Sequence, residues 1–306
     1  MSEILEKFTS GEKDRAEKYL EAYPDVFADI TNVLIVGKNV VQPKDLKDGP
    51  TESVYKAEHP DGLREQRRDI AKYVERAGVG IMLIGLENQS AVDFDMVFRV
   101  MGYDYASYRG QIDVGKHRFP VITGVLYYGD RPWCAPCTIG EAVEVPEEYQ
   151  EMFSDYRIHV IDVPRLPEKV REKLTSDFRV VADYFAGRKN EDYVPIDQPL
   201  KHPEAMLEFL RVFTGDERYE QIEEEIAEQS RKGELVRMCE VLDRAERKGI
   251  EKGIEKGIEK GIEQGIDSIL QLMNLMEQGG DGDRVLLLQK DPKFLKEMCD
   301  KYNIKI

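Results

Sequence analysis

Two uncharged apolar runs constrain the fold of this chain more than any other feature: residues 77–86 and 119–129, which are 10 and 11 residues long. Neither approaches the roughly 20 apolar residues that a membrane-spanning helix needs, so no membrane partner is expected. The second run is rich in β-branched and aromatic residues and predicts a buried strand. Between the runs, residues 92–112 have inward-facing side chains three or four positions apart, which predicts a helix. The pattern therefore indicates a mixed α/β core.

The remaining pattern divides the chain into three parts. Residues 1–166 combine helical and strand signals and predict the α/β core, whereas residues 167–245 show helical signals only and predict an extension packed on that core. Residues 246–306 hold a repeat and a short tail. In the first part, the spacing predicts helices over residues 11–23 and 24–36 and strands over residues 52–57, 68–74, 80–89 and 157–163.

The repeat covers residues 247–266 and sets glycine and isoleucine at a strict period of four. Four residues advance an α-helix by about 400°, so each row shifts around the helix by about 40° per repeat. Each interior glycine costs about 1 kcal/mol relative to alanine, so such a helix needs a partner. One interpretation is a helix that associates with a second copy of the chain, and the other is a flexible charged connector. We expect the first, a homo-oligomer formed through the repeat helix.

The chain carries 44 Lys and Arg residues against 60 Asp and Glu residues, a formal net charge of −16. This balance excludes a broad basic footprint for non-specific binding to nucleic acid or anionic membranes. Locally the balance reverses: residues 64–76 hold five basic and three acidic side chains, and residues 97–118 hold four and two. The N-terminus lacks the pattern of a signal peptide, and the four cysteines fit a reducing compartment, so we expect a cytoplasmic protein.

Three polar side chains form the strongest candidate site. Glu87 and Gln89 lie two residues apart at the end of an apolar run, so on a strand they share one face, and Asp69 lies 18 residues upstream of Glu87. Mg²⁺ suits such oxygen ligands because one or two carboxylates suffice when phosphate and water complete its octahedron. The group can therefore hold a cation for metal-assisted phosphodiester hydrolysis. The alternative is that these are ordinary surface residues at a strand end.

A second constellation is the pair Cys134 and Cys137 in the sequence WCAPC. It resembles the redox motif of thioredoxins, in which a thiolate at a helix N-terminus attacks a disulfide. The surrounding pattern does not supply the βαβ unit or the later proline loop that such a domain needs, so the alternative is a turn with incidental thiols. Two cysteines alone provide too few ligands for a structural zinc site.

Three stretches together resemble the recombination-promoting nuclease (Rpn) family, which is similar to the wider PD-(D/E)xK nuclease superfamily. They read RRDIAKY, GIMLIGLENQSAVDFDMVFRVMGYDYASYRGQI and FPVITGVLYYGDRPW. The resemblance covers about residues 25–190 and is most specific over residues 85–111. It implies a restriction-endonuclease-like α/β core of order α-β-β-β-α-β, a mixed sheet flanked by helices with a C-terminal helical extension, and Mg²⁺-dependent DNA cleavage in recombination or in defence against mobile elements and phage.

Matched residue by residue, the resemblance makes Asp69 and Glu87 the metal-binding acids and puts Gln89 at the position of the superfamily lysine. It implies Asp29, in the segment PDVFADITN, as the acid of the first helix. A neutral amide cannot supply the positive charge of that lysine. Lys72 does not substitute, because its odd offset from Asp69 sends it to the opposite face of the strand.

Arg99 and Tyr103 lie one turn apart on the following helix. Arg99 is a candidate phosphate contact that the tyrosine hydroxyl supports, and the alternative is that Tyr103 is a core residue. The sequence thus predicts a DNA endonuclease that uses Mg²⁺, with Mn²⁺ as a substitute. Two alternatives stay open: a family member that binds DNA or a partner without cutting, and a thiol oxidoreductase that acts through its CxxC.

Overall fold

The computed structural model describes residues 10–56, 63–76, 79–113, 118–190, 193 and 196–304. The chain divides into two compact units, Met1–Leu242 and Asp243–Ile306. The first unit contains a mixed sheet with flanking helices, and the second contains most of one long helix and a short C-terminal helix. No helix within the described ranges is long and apolar enough to cross a membrane.

Two helices open the first unit, as the spacing predicts. α1 is Ser10–Glu21, and α2 is Pro24–Ile30, which continues into a wider helical turn, Thr31–Val36. Pro24 begins α2 because its ring presets a helical φ at a position where the amide donor is not needed. The turn ends at Gly37, whose φ of 70° lies in the left-handed region that glycine adopts without strain.

Five of the seven strands in this part of the chain form the central sheet. The seven are β1 (Leu46–Asp48), β2 (Glu52–Lys56), β3 (Leu63–Arg67), β4 (Ile70–Arg76), β5 (Val79–Gln89), β6 (Val121–Tyr127) and β7 (His159–Asp162). The sheet has the order β1-β4-β5-β6-β7, while β2 and β3 form a separate antiparallel pair. β1, β4 and β5 are antiparallel neighbours, whereas β6 is parallel to β5 and β7 is parallel to β6. Each predicted strand is present, with ends that differ by a few residues.

Helix α3 (Met96–Asp113) connects β5 to β6, and this helical crossover is what allows the two strands to run parallel. Its residues Met96, Val97 and Val100 pack in one buried cluster with Val125 of β6. Helix α1 contacts the end of β5 through Glu21, and α2 places Phe27 beside Lys72 of β4. The result is the mixed sheet flanked by helices that the sequence predicts.

The helices predicted after residue 167 are confirmed. The further helices of the first unit are α4 (Ile139–Ala142), α5 (Glu168–Arg171), α6 (Phe178–Gly187), α7 (Pro203–Thr214), α8 (Arg218–Gln221) and α9 (Glu223–Arg231). Phe185 of α6 packs against a stacked pair on α7, Phe209 and Phe213, whose ring centroids lie 4.4 Å apart. The structure adds a short antiparallel pair, β8 (Pro199–Leu200) and β9 (Val236–Arg237), which is too short for its alternation to show in the sequence.

The repeat lies within α10 (Met238–Gln278), a helix of 41 residues. Its isoleucines have between 53% and 59% of their surface exposed: Ile250, Ile254, Ile258, Ile262 and Ile266. Further along, Leu272 and Met276 of α10 pack against Phe294 and Met298 of α11 (Pro292–Tyr302). The second unit therefore has a small core at its C-terminal end, while the apolar row of the repeat faces solvent.

A buried ion pair connects three elements of the first unit. Arg68, just before β4, donates from Nη2 to Oδ1 of Asp104 on α3 over 2.9 Å. Asp104 also accepts hydrogen bonds from the hydroxyls of Thr123 on β6 and Tyr156, each over 2.6 Å. Three donors converge on the Asp104 carboxylate, which offsets the cost of burying it, whereas Nε of Arg68 is buried without a hydrogen-bond partner. The ion pair of Arg68 and Asp104 holds α3 against the end of the sheet near Asp69.

Gly85 of β5 has no side chain, and the Arg68 side chain occupies the space where one would lie. A Cβ at this position would lie 2.4 Å from Cδ of Arg68, which cannot move away without leaving Asp104. We expect Gly85→Ala to lower the free energy of unfolding by about 1–3 kcal/mol, measured by urea denaturation.

Gly110→Ala on α3 is the matched control. No atom lies within 4 Å of a Cβ built there, and alanine favours a helix over glycine by up to about 1 kcal/mol. The control is therefore expected to be neutral or stabilising. Equal losses of stability in the two variants would contradict this explanation of Gly85.

Candidate active site

Asp69 and Glu87 lie side by side at one end of the sheet. Asp69 directly precedes β4, and the first residue of that strand, Ile70, pairs with Leu86 of β5. The two acids are therefore neighbours across adjacent antiparallel strands. The backbone N–H of Asn88 donates to Oδ2 of Asp69 over 2.7 Å, which holds the Asp69 carboxylate against β5. The sequence places these acids 18 residues apart, and the hairpin brings them together.

The Glu87 carboxylate is almost completely buried, with 2% of its side chain exposed. Its Oε1 atom accepts from Nη2 of Arg99 over 2.7 Å and from the Tyr103 hydroxyl over 3.3 Å. Its Oε2 atom is buried without a hydrogen-bond partner. Burial, together with the negative charge of Asp69, raises the pKa of Glu87 to about 8, although the Arg99 guanidinium opposes the shift. The protein thus holds a carboxylate that favours its protonated form at neutral pH.

The Asp69 carboxylate has a different partner, which comes from the first helix. Lys18 of α1 places its ammonium nitrogen 2.8 Å from Oδ1 of Asp69. The Asp69 side chain is 13% exposed and that of Lys18 is 32% exposed, so the pair lies at the border of the protein interior. Each of the two acids therefore contacts a cation, and the sequence analysis did not predict the contact with Lys18.

Helix α1 also contributes a buried acid that the sequence analysis missed. Glu21 accepts from the Asn88 side-chain amide over 2.9 Å through Oε2 and from the Tyr128 hydroxyl over 2.8 Å through Oε1. Burial and the charge of Glu21 raise the pKa of Tyr128 well above its usual range. A sequence signal did exist, because Glu17 and Glu21 lie four residues apart on a helix and share a face. Both are buried, and Glu21 ties α1 to the end of β5.

Arg99 and Tyr103 lie together on α3, as their spacing predicts. Arg99 donates to the Tyr103 hydroxyl over 3.4 Å and to Oδ2 of Asp93 over 2.7 Å, in addition to its contact with Glu87. Tyr103 is 5% exposed, and the guanidinium of Arg68 lies 5.7 Å from its ring centroid. The tyrosine is thus both a core residue and a partner of the Glu87 carboxylate.

Gln89 is the last residue of β5, and its carbonyl oxygen accepts from the backbone N–H of Tyr128 over 2.8 Å. Its side chain lies two positions beyond Glu87 and shares the same strand face. The expectation for Asp29 is corrected. Its carboxylate accepts from the backbone N–H groups of Thr175 and Ser176, each over 2.8 Å, so it anchors the segment before α6. The acid that α1 brings to the end of β5 is Glu21.

The two cysteines of the CxxC lie between β6 and the four-residue helix α4. Thr138 caps that helix, and the side chain of Glu141 accepts from the backbone N–H of Cys137 over 2.7 Å. Burial and the charge of Glu141 raise the pKa of the Cys137 thiol. A neighbouring carboxylate and a very short helix favour the neutral thiol, which is the opposite of the environment that activates a thiolate.

The oxygen atoms at Asp69 and Glu87 fit a divalent cation that needs few protein ligands. In the part of the chain that the structure describes, no three His, Cys, Asp or Glu side chains converge as a ready-made metal site. Mg²⁺ nevertheless binds through one or two carboxylates when phosphate and water supply its other ligands. Oε2 of Glu87 is buried without a partner, and a cation between the two acids would relieve their repulsion.

The raised pKa of Glu87 has a measurable effect on stability. Its folded pKa of about 8 lies above the usual value of 4.5, so between these pH values the folded protein keeps a proton that the unfolded chain has released. Stability from this group is therefore complete below about pH 4.5 and is lost as the pH rises through about 8. We expect Glu87→Gln, which does not titrate, to raise the melting temperature relative to wild type more at pH 8.5 than at pH 5.5.

The measurement is thermal unfolding in EDTA, and Glu144→Gln, at an exposed position outside the site, is the control. A difference between wild type and Glu87→Gln that stays constant from pH 5.5 to 8.5 would contradict the raised pKa.

Comparison with known proteins identifies the segment that carries these residues. Residues 61–184 match the family model described as "Putative transposase, YhgA-like". The match includes Asp69, Glu87, Gln89 and Arg99, whereas α1 lies before it. No match was found among curated proteins or among solved structures. Residues 61–184 are therefore similar to the YhgA-like transposase family, in agreement with the resemblance to recombination-promoting nucleases in the sequence.

Proposed function

We propose that this protein is a Mg²⁺-dependent DNA endonuclease in which Asp69 and Glu87 hold the metal ion. The observation that carries the proposal is the buried Glu87 carboxylate. Its Oε2 atom has no hydrogen-bond partner, and the nearby Asp69 helps to raise its pKa. A divalent cation held by the two carboxylates would give Oε2 of Glu87 the partner that it lacks and would offset the mutual repulsion of the acids. The family match supports a role on DNA.

The order of elements also supports the proposal. The first unit runs from helices α1 and α2 through three antiparallel neighbours of the sheet, β1, β4 and β5, to helix α3 and the parallel strand β6. This is the α-β-β-β-α-β order that resemblance to the PD-(D/E)xK nucleases implies, with the β2–β3 pair as an insertion. The two acids lie at the start of β4 and near the end of β5, on adjacent strands.

The residues around the acids have separable roles in the proposed reaction. Bound Mg²⁺ would lower the pKa of an attacking water and polarise a phosphodiester oxygen. Glu87 loses its proton to become a ligand, so metal binding strengthens as the pH rises. Arg99, with 37% of its side chain exposed, holds Oε1 of Glu87 and has further N–H donors for a phosphate oxygen. Tyr103 orients the same Glu87 oxygen.

The charge distribution limits how the protein can bind DNA. The net charge of −16 opposes broad binding to a polyanion. The segments 64–76 and 97–118, which flank the acids in sequence, each carry two more basic than acidic side chains. We therefore expect weak, salt-sensitive binding to DNA near the acids, and a role in recombination or in defence against foreign DNA.

A metal-dependent cleavage assay tests the proposal. Purified protein is incubated with supercoiled, linear and single-stranded DNA in Mg²⁺, Mn²⁺ or EDTA. We expect cleavage that needs the metal, and a loss of at least about 100-fold in Asp69→Ala because one of the two metal-binding acids is gone. Asp267→Ala is the control, since it removes an exposed carboxylate on α10.

Absence of cleavage on every DNA form with either metal would overturn the endonuclease. Calorimetry then separates the alternatives. Metal binding that Asp69→Ala abolishes, without turnover, would identify a family member that binds DNA or a partner without cutting, as the neutral Gln89 suggests. Reduction of insulin disulfides that is lost in Cys134→Ser would instead support the thiol oxidoreductase.

We further propose that the protein assembles with a second copy of itself through the repeat of α10. Isoleucines at 250, 254, 258, 262 and 266 stay more than half exposed along this helix. Full burial of an isoleucine is worth about 1.5–3 kcal/mol. The glycine row beside the isoleucines allows a second helix to approach closely, and the period of four winds the contact in a right-handed sense.

Light scattering of the full chain at micromolar concentration tests this assembly. We expect at least twice the mass of one chain for wild type and the mass of one chain for the double variant Ile254→Ser, Ile258→Ser. The double variant Lys252→Ser, Lys256→Ser changes the same two repeats without removing apolar surface, and we expect it to keep the higher mass. A wild-type protein with the mass of one chain would overturn the proposal.

A further inference from the structure

The proposed reaction lacks a cation at the position where related nucleases carry a lysine. Hydrolysis of a phosphodiester increases the negative charge on the phosphate oxygens in the transition state, so donors and cations that face this charge accelerate the reaction. Gln89 is neutral and cannot supply such a charge. A cationic side chain from another part of this chain can supply this charge beside the metal ion, and among the described residues Lys18, Lys72 and Arg99 are candidates.

Two of these side chains are already committed. Lys72 of β4 is 4% exposed, and its ammonium nitrogen lies 2.6 Å from Oδ1 of the exposed Asp48, so it is paired with a carboxylate outside the site. Arg99 holds both Glu87 and Asp93, each over 2.7 Å, and its first role is to neutralise a buried carboxylate. Lys18 remains, because its ammonium nitrogen lies 2.8 Å from Oδ1 of Asp69 and its side chain is partly exposed.

We propose that Lys18 is the cation of this active site: it pairs with Asp69 in the metal-free protein and donates to the scissile phosphate when metal and DNA are bound. This inference rests on the proposed endonuclease function. A lysine suits the task because its ammonium is a compact charge on a flexible stem and can exchange one anionic partner for another. With Asp69 engaged as a metal ligand, Lys18 would exchange its carboxylate partner for a phosphate oxygen.

The position of Lys18 is fixed by its helix. Glu21, one turn later on α1, is bound to the side chains of Asn88 and Tyr128 and is 1% exposed. Ala16 and Leu20 are each 1% exposed, and α1 packs against α7. Because this packing and the contact of Glu21 with Asn88 hold α1 in place, the stem of Lys18 starts from a defined point beside Asp69. The site would thus include a residue from outside the matched segment 61–184.

The proposal makes two effects of Lys18 opposite in sign. In the metal-free protein the ammonium competes with the metal for Asp69, so its removal strengthens metal binding. During cleavage it stabilises the phosphate, so its removal slows the reaction. A residue that only stabilised the fold would weaken both properties together.

The test compares four variants with wild type: Lys18→Gln, Lys18→Arg, the double variant Lys18→Gln, Gln89→Lys, and the control Lys44→Gln at an exposed position. Metal binding is measured by calorimetry with Mn²⁺ alone, and cleavage is measured in Mg²⁺ with kcat and KM determined separately. We expect Lys18→Gln to bind Mn²⁺ up to about 5-fold more tightly, which is the upper end for a partly exposed ion pair. We expect its kcat to fall about 100-fold, with a smaller change in KM.

The two variants that restore a cation distinguish a role of the positive charge from a structural role of Lys18. Lys18→Arg is expected to recover at least about tenfold of the lost kcat, since guanidinium and ammonium both donate to phosphate. The double variant Lys18→Gln, Gln89→Lys moves the positive charge to the strand position and is expected to recover a similar factor. Lys44→Gln is expected to match wild type in both assays, because it removes an equal charge just before β1, whose register with β4 places it toward the end of that strand opposite to Asp69.

The outcomes separate this inference from the function on which it rests. If wild type cleaves DNA and Asp69→Ala does not, a wild-type kcat in Lys18→Gln overturns the role of Lys18 alone. Unchanged or weaker Mn²⁺ binding in Lys18→Gln also overturns it, since the ammonium then does not compete for Asp69. A loss of kcat that neither replacement cation restores identifies a structural role. If wild type does not cleave at all, the endonuclease proposal and this inference both fall.

Discussion

The burial of one carboxylate governs the arrangement of the whole candidate site. A charged carboxylate in the interior costs several kcal/mol unless something neutralises it. Glu87 meets this constraint in two ways: Arg99 and Tyr103 bind one of its oxygens, and a raised pKa favours the proton on the carboxyl group. The second oxygen is left without a partner. A fold that keeps a costly buried acid next to a second acid is best explained by a function that needs both.

The elements around the site are held together by contacts that could not be predicted from the sequence. Arg68 and Asp104 join the start of β4 to α3, and Glu21 joins α1 to the end of β5. Each of these contacts spans 36 or more residues of the chain. They come from how helices dock on the sheet, and side-chain spacing carries no information about docking. Local patterns, in contrast, predicted five strands and the longer helices, because apolar alternation and helical spacing are properties of neighbouring residues. They did not predict β1, β3, β8 and β9.

The same distinction explains which site residues could be predicted. Asp69 and Glu87 could be predicted, since they lie at the ends of strands that the apolar pattern indicates. The pair Arg99 and Tyr103 could be predicted from helical spacing. Lys18 and Glu21 were not, because their role depends on the packing of α1 against β5. Asp29 was assigned to the site from a resemblance in sequence, but its carboxylate binds the backbone at Thr175 and Ser176. Which site an acidic side chain on a helix joins depends on the surface against which the helix packs. Sequence order alone does not specify that surface.

The charge balance of the site has a consequence for how the proposed ligands would bind. Asp69 faces Lys18 and Glu87 faces Arg99, so the two acids are already matched by two cations. A metal ion that binds alone must displace or share these partners and must remove a proton from Glu87. A metal ion that arrives with DNA gains phosphate oxygens as ligands, while the released cations gain the phosphate as a partner. Metal and DNA would therefore strengthen each other's binding, as any two ligands with a favourable coupling free energy do. In the proposed reaction, such coupling would let an acidic protein of net charge −16 act on a polyanion without a broad basic surface.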